Sequence, residues 1–159
     1  SRLLVRLLFL LMVWKGEKMY YLKTEQSFDS AHFLAGYNGK CANIHGHRWR
    51  VVVSIKSTSL LEDKQNNGMI IDFTDLKNDL KQITDSLDHT LIIETNSLST
   101  DLYQALINEN FKIVSLPFRP TAENLARYIF ELLAKKYNLD CIDVYETPNN
   151  CASYRGNDE

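Results

Sequence analysis

Apolar and polar positions alternate along the chain beyond Met19. Residues 20–34 repeat with a period of two, which predicts a β-strand with one buried face, and His32 lies near its end on that face. Glycines interrupt the pattern over residues 35–46, and residues 47–57 alternate again. The pattern therefore predicts two strands joined by a long loop, antiparallel to each other if they form a hairpin.

Two amphipathic helices are predicted further along the chain. Residues 73–86 carry apolar side chains three and four positions apart, and Asp72 stands where an N-cap is expected. The predicted apolar face of this helix consists of Phe73, Leu76, Leu80, Ile83 and Leu87. Residues 121–137 have the same period, with Thr121 as the predicted N-cap. Each helix is therefore expected to pack by one face.

The remaining segments predict short strands. Residues 140–146 and 151–155 form two strands around a Pro-Asn-Asn turn. Residues 94–118 show no clear period, apart from a weak helix over residues 100–108 and a short strand over residues 111–116. The order is β-β-α-α-β-β with a variable segment between the two main helices, which is typical of an α+β domain.

The first eighteen residues are expected to lie outside the domain. Their apolar run, residues 7–14, is far shorter than the roughly 18 residues of a membrane-spanning helix, and no small-residue cleavage site of a signal peptide follows it. Residues 15–19 read Lys-Gly-Glu-Lys-Met, which a purine-rich ribosome-binding site followed by a start codon can encode. We favour a translated leader over residues 1–18 and a single domain over residues 19–159. A signal peptide and a short packing helix are the alternatives.

Composition and charge argue against several classes of protein. Apolar residues make up 45% of the chain and charged residues 24%, as in globular rather than disordered proteins. The formal net charge of -2 gives no reason to expect a nucleic-acid partner. The three cysteines are too few for a disulfide framework and odd in number, so a reducing, cytoplasmic setting is expected. We expect neither a nucleic-acid nor a membrane partner.

Three of the four histidines could form a metal site. His45 and His47 are two residues apart and would point to the same side of a strand, while His32 comes from the strand before. Three imidazoles with one open position are the pattern of catalytic zinc, whereas ordinary hydrogen-bonded histidines are the plainer alternative. Cys41, four residues before His45, could be a fourth ligand, an inert buried thiol, or a base or nucleophile beside the metal.

Other polar residues also have both a functional and a structural interpretation. Asp88 directly precedes His89, and a carboxylate can orient an imidazole for a proton relay, although surface Asp-His pairs are common. Glu146 ends an apolar strand, so its carboxylate lies either on the rim or in a site, where it could accept two parallel N–H bonds from a guanine-like or pterin ring. Cys141 and Cys151 lie in predicted strands and are expected in the core.

Six short motifs contain these candidate residues. They are Phe28-Asp29-Ser30-Ala31-His32, Cys41-x-x-x-His45-Gly46-His47, Gly68-Met69-Ile70-Ile71-Asp72-Phe73, Leu87-Asp88-His89, Pro120-Thr121-Ala122-Glu123-Asn124 and Glu146-Thr147. In order and spacing they resemble the 6-pyruvoyl-tetrahydropterin synthase family, and the resemblance covers residues 20–156.

The gap of three residues between Cys41 and His45 is similar to one branch of that family, the bacterial 6-carboxy-5,6,7,8-tetrahydropterin synthases of queuosine biosynthesis. The ending over residues 151–156 resembles the same branch, whereas the 6-pyruvoyl enzymes typically have a longer gap. A third branch has glutamate in place of Cys41, and this chain does not match it.

The resemblance implies the tunnelling fold, or T-fold, in which an antiparallel sheet carries two helices on one face and subunits join their sheets into a barrel. It implies a homohexamer, a dimer of trimers, with active sites between subunits. The substrate would be the small molecule 7,8-dihydroneopterin triphosphate, and the products 6-carboxy-5,6,7,8-tetrahydropterin, acetaldehyde and triphosphate. A catalytic Zn2+ ion would be held by His32, His45 and His47.

The resemblance also assigns roles to five further residues. Cys41 would accept a proton, Asp88 and His89 would form a relay, Glu146 would anchor the pterin ring and take part in the relay, and Thr121 would contact the ring.

Two features depart from the family pattern. Arg119 stands where a smaller polar residue is expected, and could either hold phosphate or simply be exposed. Residues 94–118 form a longer segment than in compact bacterial members. Two other functions remain as alternatives: a 6-pyruvoyl-tetrahydropterin synthase, which only eliminates triphosphate, and a non-enzymatic zinc- or pterin-binding module.

Overall fold

The computed structural model describes residues 18–156, so the predicted leader lies outside the described residues except for Lys18. Six strands and three α-helices occur within this range: β1 (Tyr20–His32), β2 (His45–Ser57), α1 (Phe73–Leu87), β3 (Thr90–Glu94), α2 (Thr100–Asn108), β4 (Ile113–Leu116), α3 (Ala122–Leu133), β5 (Leu139–Thr147) and β6 (Asn150–Tyr154). A 3₁₀ turn, Lys40–Ala42, lies in the loop between β1 and β2. The strands and helices predicted from the sequence are present, with their ends shifted by a few residues.

The first two strands form the predicted antiparallel hairpin. His32 pairs with His45, and Ser30 pairs with His47. Residues directly opposite each other in an antiparallel pair point to the same face, so all three histidines lie on one face of the sheet. That face continues into the core at Trp49, which is fully buried. The hairpin alone therefore brings three imidazoles together at its open end.

The six-stranded sheet has the order β4-β3-β1-β2-β5-β6 and is mixed. β1, β2, β5 and β6 are antiparallel neighbours, as expected. β3 runs parallel to β1, and β4 runs parallel to β3. This corrects the expectation of a purely antiparallel sheet with two helices. β2 and α1 together connect β1 to β3, and α2 connects β3 to β4; parallel neighbours require such crossovers. The α+β class is unchanged.

The core lies between one face of the sheet and helices α1 and α3, each of which buries one side. Residues at its centre are Trp49, Val51, Val53, Leu76, Leu80, Leu125, Ile129, Ile142 and Val144. The Asp72 carboxylate accepts a bond from the Thr74 N–H at 2.8 Å, and the Thr121 hydroxyl accepts one from the Asn124 N–H at 3.3 Å. Both predicted N-caps are therefore confirmed.

Two helical features differ from the expectation. Phe73 is 57% exposed, so its assignment to the apolar face of α1 is wrong. The helix begins one turn before its contact with the sheet, since Leu76 is its first buried residue. Helix α2 buries none of its residues against the part of the chain that the structure describes. Among the residues that the structure describes, no helix has the length and apolar character required to cross a membrane.

Candidate metal centre and its surroundings

Four side chains converge where β1 ends, β2 begins and β5 ends. They belong to His32, His45, His47 and Glu146, and one ligand atom from each lies within 4.8 Å of the others. The Nε2 atoms of His32 and His45 are 3.1 Å apart. Glu146 Oε1 lies 3.3 Å from the Nε2 atoms of both His32 and His47. The structure thus brings together the three predicted metal ligands and adds a carboxylate.

Backbone carbonyls fix the orientation of two of these rings. His32 Nδ1 donates to the Pro120 carbonyl and His45 Nδ1 donates to the Asn43 carbonyl, each at 2.8 Å. A carbonyl oxygen can only accept, so each Nδ1 carries the hydrogen and each Nε2 of a neutral ring presents a lone pair. This outer bonding is the arrangement that orients histidine ligands toward a metal.

Burial favours the neutral form of two of the imidazoles, those of His32 and His47. The pKa values of His32 and His47 lie below the usual 6.5, mainly because burial removes water from the charged form of each ring. The nearby Glu146 carboxylate raises both pKa values, but by less. Trp49 excludes water from the same place, with its ring 4.9 Å from that of His32 and 5.3 Å from that of His47. Neutral imidazoles are the form that binds metal.

The donor set fits a zinc ion. His47 Nε2 is buried and has no hydrogen-bond partner within the described residues, although Glu146 lies near it. Tetrahedral zinc with bonds of about 2.0–2.1 Å places its ligand atoms roughly 3.3 Å apart, close to the separations of 3.1 Å and 3.3 Å in the cluster. A metal ion would satisfy the three imidazole nitrogens together.

Two cavities adjoin the cluster and share Glu146. One, of about 290 Å³, is lined by Cys41 and Thr121 as well as Glu146. The other, of about 440 Å³, is lined by His47, Arg48, Arg50, Tyr145, Glu146 and their neighbours. The smaller cavity therefore unites three of the residues to which the resemblance assigns substrate contact or proton transfer.

The three cysteines have different surroundings. Cys41 is half-buried and is not one of the four clustered ligand residues. Cys141 is buried as predicted, and burial raises its pKa to about 11. Cys151 is exposed, which overturns the expectation that it lies in the core. Strand β6, which carries it, is the outer strand of the sheet, so its side chains are not enclosed.

Asp88 and His89 form a separate dyad at the end of α1. The Asp88 carboxylate accepts hydrogen bonds from the Asp29 N–H and from His89 Nδ1, both at 2.8 Å. These bonds, the Asp29 N–H first, hold the pKa of Asp88 below its usual range. The His89 imidazole is 77% exposed, and neither residue lines the two cavities described above. Within one chain the dyad thus faces solvent in a fixed orientation.

Backbone strain accompanies this dyad. His89 has a φ of 53°, in the left-handed region that residues other than glycine rarely occupy. Its N–H donates to the Asp29 carbonyl at 2.7 Å, which holds the conformation in place. Such strain often occurs at functional positions, and here it directs the His89 ring away from the core.

Sequence patterns missed part of the cluster. Glu146 was expected to bind a ring, and its contact with two imidazoles depends on the pairing of β2 with β5, which the sequence does not reveal. The carbonyls of Asn43 and Pro120 were missed as well, because backbone acceptors leave no trace in residue type.

The family profile described as 6-pyruvoyl tetrahydropterin synthase matches residues 21–157. The chain belongs to this family. Its resemblance to that family, recognised from six motifs, is confirmed, and with the family comes its enzyme class, that of a lyase.

Relatives within the family carry the name of one branch. A 6-carboxy-5,6,7,8-tetrahydropterin synthase from Haemophilus influenzae is 38% identical over 141 residues, covering 86% of this chain and 99% of that protein. One of the same name from Aquifex aeolicus is 35% identical over 102 residues, covering 61% of this chain and 59% of that protein.

A solved structure supports the fold. An uncharacterized protein from Wolinella succinogenes superposes with a TM-score of 0.77 at 22% identity, covering 88% of this chain and 99% of that one. This likeness confirms the T-fold of the single subunit expected from the motifs.

Proposed function

We propose that this lyase uses zinc to convert 7,8-dihydroneopterin triphosphate and one water molecule to 6-carboxy-5,6,7,8-tetrahydropterin, acetaldehyde and triphosphate. The observation that carries the proposal is the His–Glu cluster, which adjoins a cavity lined by Cys41, Thr121 and Glu146. The names of the relatives from Haemophilus influenzae and Aquifex aeolicus support the same reaction. The product would then serve queuosine biosynthesis.

His32, His45 and His47 would hold the zinc ion through their Nε2 atoms. When bound, zinc supplies a Lewis acid for the hydroxyls of the substrate side chain. The carbonyls of Pro120 and Asn43 keep two of the rings aligned by accepting their Nδ1 hydrogens. Removal of one ring would weaken binding of the ion.

Glu146 and Thr121 would hold the pterin ring in the smaller cavity. A carboxylate can accept two parallel N–H bonds from the amino-pyrimidinone edge, which fixes the ring in its plane. The Thr121 hydroxyl caps α3 by accepting the Asn124 N–H at 3.3 Å, so its position is set by the helix. The substrate side chain would then extend toward the three histidines.

Proton transfer would involve Cys41, Glu146 and the Asp88–His89 dyad. Cys41 lines the ring cavity, where its sulfur can accept a proton from the substrate side chain. Asp88 holds the Nδ1 hydrogen of His89 and leaves the other ring nitrogen open. Because that ring is exposed, we propose that it serves the site of a neighbouring subunit.

Assembly as a homohexamer in the cytoplasm completes the proposal. The outer strands β4 and β6 each have one neighbour within the described chain, and outer strands readily pair with another chain. Joining these edges would close a barrel and bring dyads of one subunit near cavities of the next.

A product assay tests the reaction. We expect the purified enzyme with zinc and 7,8-dihydroneopterin triphosphate to release acetaldehyde and triphosphate together, and Cys41→Ala and His89→Ala to lose turnover while retaining zinc. Triphosphate release without acetaldehyde would instead identify a 6-pyruvoyl-tetrahydropterin synthase. Binding of zinc or pterin without any turnover would contradict both reactions.

A further inference from the structure

The loop that carries Cys41 has little support of its own. Its residues 36–40 are exposed, and the 3₁₀ turn Lys40–Ala42 contains no buried residue. The Leu34 N–H donates to the Cys41 carbonyl at 2.8 Å, which closes the base of the loop. A segment with so few buried contacts belongs to the part of a fold that opens most easily. Its placement therefore depends on contacts from outside the loop.

Arg119 supplies such a contact from a distant part of the chain. Its guanidinium Nη2 donates a hydrogen bond to the Ala35 carbonyl, at the start of the loop. The next residue, Gly36, has a φ of 71°, so the loop turns in the left-handed region directly beside the arginine. Arg119 is half-buried rather than freely exposed. The arginine thus anchors the loop at the point where it turns.

The backbone of Arg119 is fixed at the N-terminus of α3. Its carbonyl accepts bonds from the Thr121 N–H at 2.8 Å and from the Asn124 side-chain amide at 3.0 Å. The carbonyl of the next residue, Pro120, accepts the Nδ1 hydrogen of His32 at 2.8 Å. One short segment therefore orients a candidate metal ligand with its backbone and reaches the Cys41 loop with its side chain.

We propose that Arg119 is a positioning residue that holds the Cys41 loop at a fixed place relative to the metal centre. The role of Cys41 in this inference rests on the proposed function, whereas the anchoring of the loop does not. Proton transfer depends steeply on the placement of the accepting group, because the accepting atom must lie within hydrogen-bond distance of the proton that it takes. Loss of the anchor should therefore slow the chemical step more than it weakens substrate binding.

Phosphate binding by Arg119 makes a different prediction. An arginine that held the triphosphate in both ground and transition states would contribute to substrate affinity, and its removal would raise KM while leaving kcat unchanged. A positioning residue affects kcat and leaves KM near its original value. The two roles are therefore separable by steady-state kinetics.

The experiment compares Arg119→Ala and Arg119→Lys with the control Arg127→Ala. Arg127 lies on α3, the helix that follows Arg119, is exposed and faces Glu131 at 3.8 Å. Its replacement therefore removes the same charge without touching the loop. For each zinc-loaded protein we would measure amide hydrogen exchange of residues 34–43, zinc content, kcat and KM. Thermal unfolding verifies that each variant is folded.

We expect Arg119→Ala to speed hydrogen exchange in the loop and to lower kcat roughly ten- to hundred-fold, the effect of losing a hydrogen bond from a charged donor, with KM and zinc content little changed. Arg119→Lys, which can still donate to one carbonyl, should recover part of the loop protection and part of kcat. Arg127→Ala should match the wild type.

Unchanged hydrogen exchange in the loop would refute the anchor, whatever the activity. Faster exchange with an unchanged kcat, or a rise in KM alone, would refute the positioning role. If the wild type lacked the proposed activity, the exchange data would still decide the anchor.

Discussion

At the residue scale, the Nε2 atoms of His32 and His45 face each other at 3.1 Å. Both Nδ1 atoms donate to carbonyls, so a neutral pair would bring two lone pairs together. A shared proton could bridge these two nitrogens, but His47 adds a third buried nitrogen without a hydrogen-bond partner among the described residues. A proton shared by that pair would leave His47 Nε2 beside the Glu146 oxygen at 3.3 Å, whereas a metal ion can bind all three nitrogens. The arrangement therefore favours a metal over a protonated histidine pair.

Replacing His47 tests this interpretation. We expect His47→Ala to weaken zinc binding by at least about 100-fold, because a direct ligand contributes more than the outer-shell partners whose loss costs roughly 10- to 100-fold. His89→Ala is the matched control, since it removes an exposed imidazole that lies outside the cluster. Zinc content measured by mass spectrometry after dialysis should be lost in the first variant and retained in the second. Equal retention in both would contradict the assignment of His47 as a ligand.

Cysteine reactivity is a second residue-scale test. Burial raises the pKa of Cys141 to about 11, so only about a thousandth of it is thiolate at pH 8, and it is 4% exposed. We expect iodoacetamide to label Cys151, which is exposed, at least about tenfold faster than Cys141. Peptide mapping by mass spectrometry gives the two rates separately.

Denaturant provides the control for this measurement. Unfolding removes both burial and the pKa shift, so the two cysteines should then react at similar rates. Rapid labelling of Cys141 in the folded protein would show that the side of the sheet that carries it opens readily.

At the scale of elements, a polar contact ties α1 to the segment that follows α3. The Asp79 carboxylate accepts bonds from Lys136 Nζ at 2.7 Å and from the Tyr137 hydroxyl at 2.6 Å. These two bonds, that of Lys136 first, hold the pKa of Asp79 below its usual range. Because Tyr137 is buried in the core cluster, the contact fixes the end of α3 against α1.

The contribution of Asp79 should depend on pH. The pKa of Asp79 is lower in the folded protein, so as the pH falls the carboxylate is protonated first in the unfolded chain. Its stabilising contribution is therefore complete above the ordinary Asp pKa, near 3.9, and is lost as the pH drops through the folded-state pKa. We expect Asp79→Asn to lower the free energy of unfolding by about 1 kcal/mol at pH 7, allowing for solvent screening. Urea unfolding at several pH values should show this difference shrinking below about pH 4.

Asp85→Asn is the matched control on the same helix. Among residues 18–156, Asp85 pairs with Lys81 alone, one turn away and also on the exposed surface. Its replacement should therefore change stability little. A difference between wild type and Asp79→Asn that stayed constant down to pH 3 would contradict the link to the carboxylate.

Period and length explain which elements could be predicted. β1 and β2 have 13 residues each and α1 has 15, enough for the periods of two and 3.6 to be recognised. β3 has five residues and β4 four, too few for a period, and their parallel pairing depends on crossovers that no local pattern encodes. The three imidazoles could be predicted because they belong to one hairpin, whereas Glu146 joins them through a later strand.

At the scale of the whole molecule, the single chain leaves several features without a partner. β4 and β6 are the outer strands of the sheet within the described chain, and α2 buries no residue. The Asp88–His89 dyad presents an exposed imidazole, held by its bond to Asp88. A neighbouring subunit that pairs with a sheet edge would account for the open strands and would give the dyad a site to serve.

Mixing two inactive variants tests whether sites are shared between subunits. We expect Cys41→Ala and His89→Ala to be inactive as separate oligomers, because each lacks one group of every site. In mixed oligomers formed by co-expression, a site that takes Cys41 from one subunit and His89 from another would be complete in about one quarter of cases, since random assembly supplies each intact group half of the time.

The control mixes Cys41→Ala with His47→Ala. The smaller cavity and the cluster share Glu146 within one chain, so Cys41 and His47 would serve the same site from the same subunit, and this mixture should remain inactive. Triphosphate release near one quarter of the wild-type activity, in the first mixture alone, would support shared sites. Two inactive mixtures would place Cys41 and His89 of one site in the same subunit.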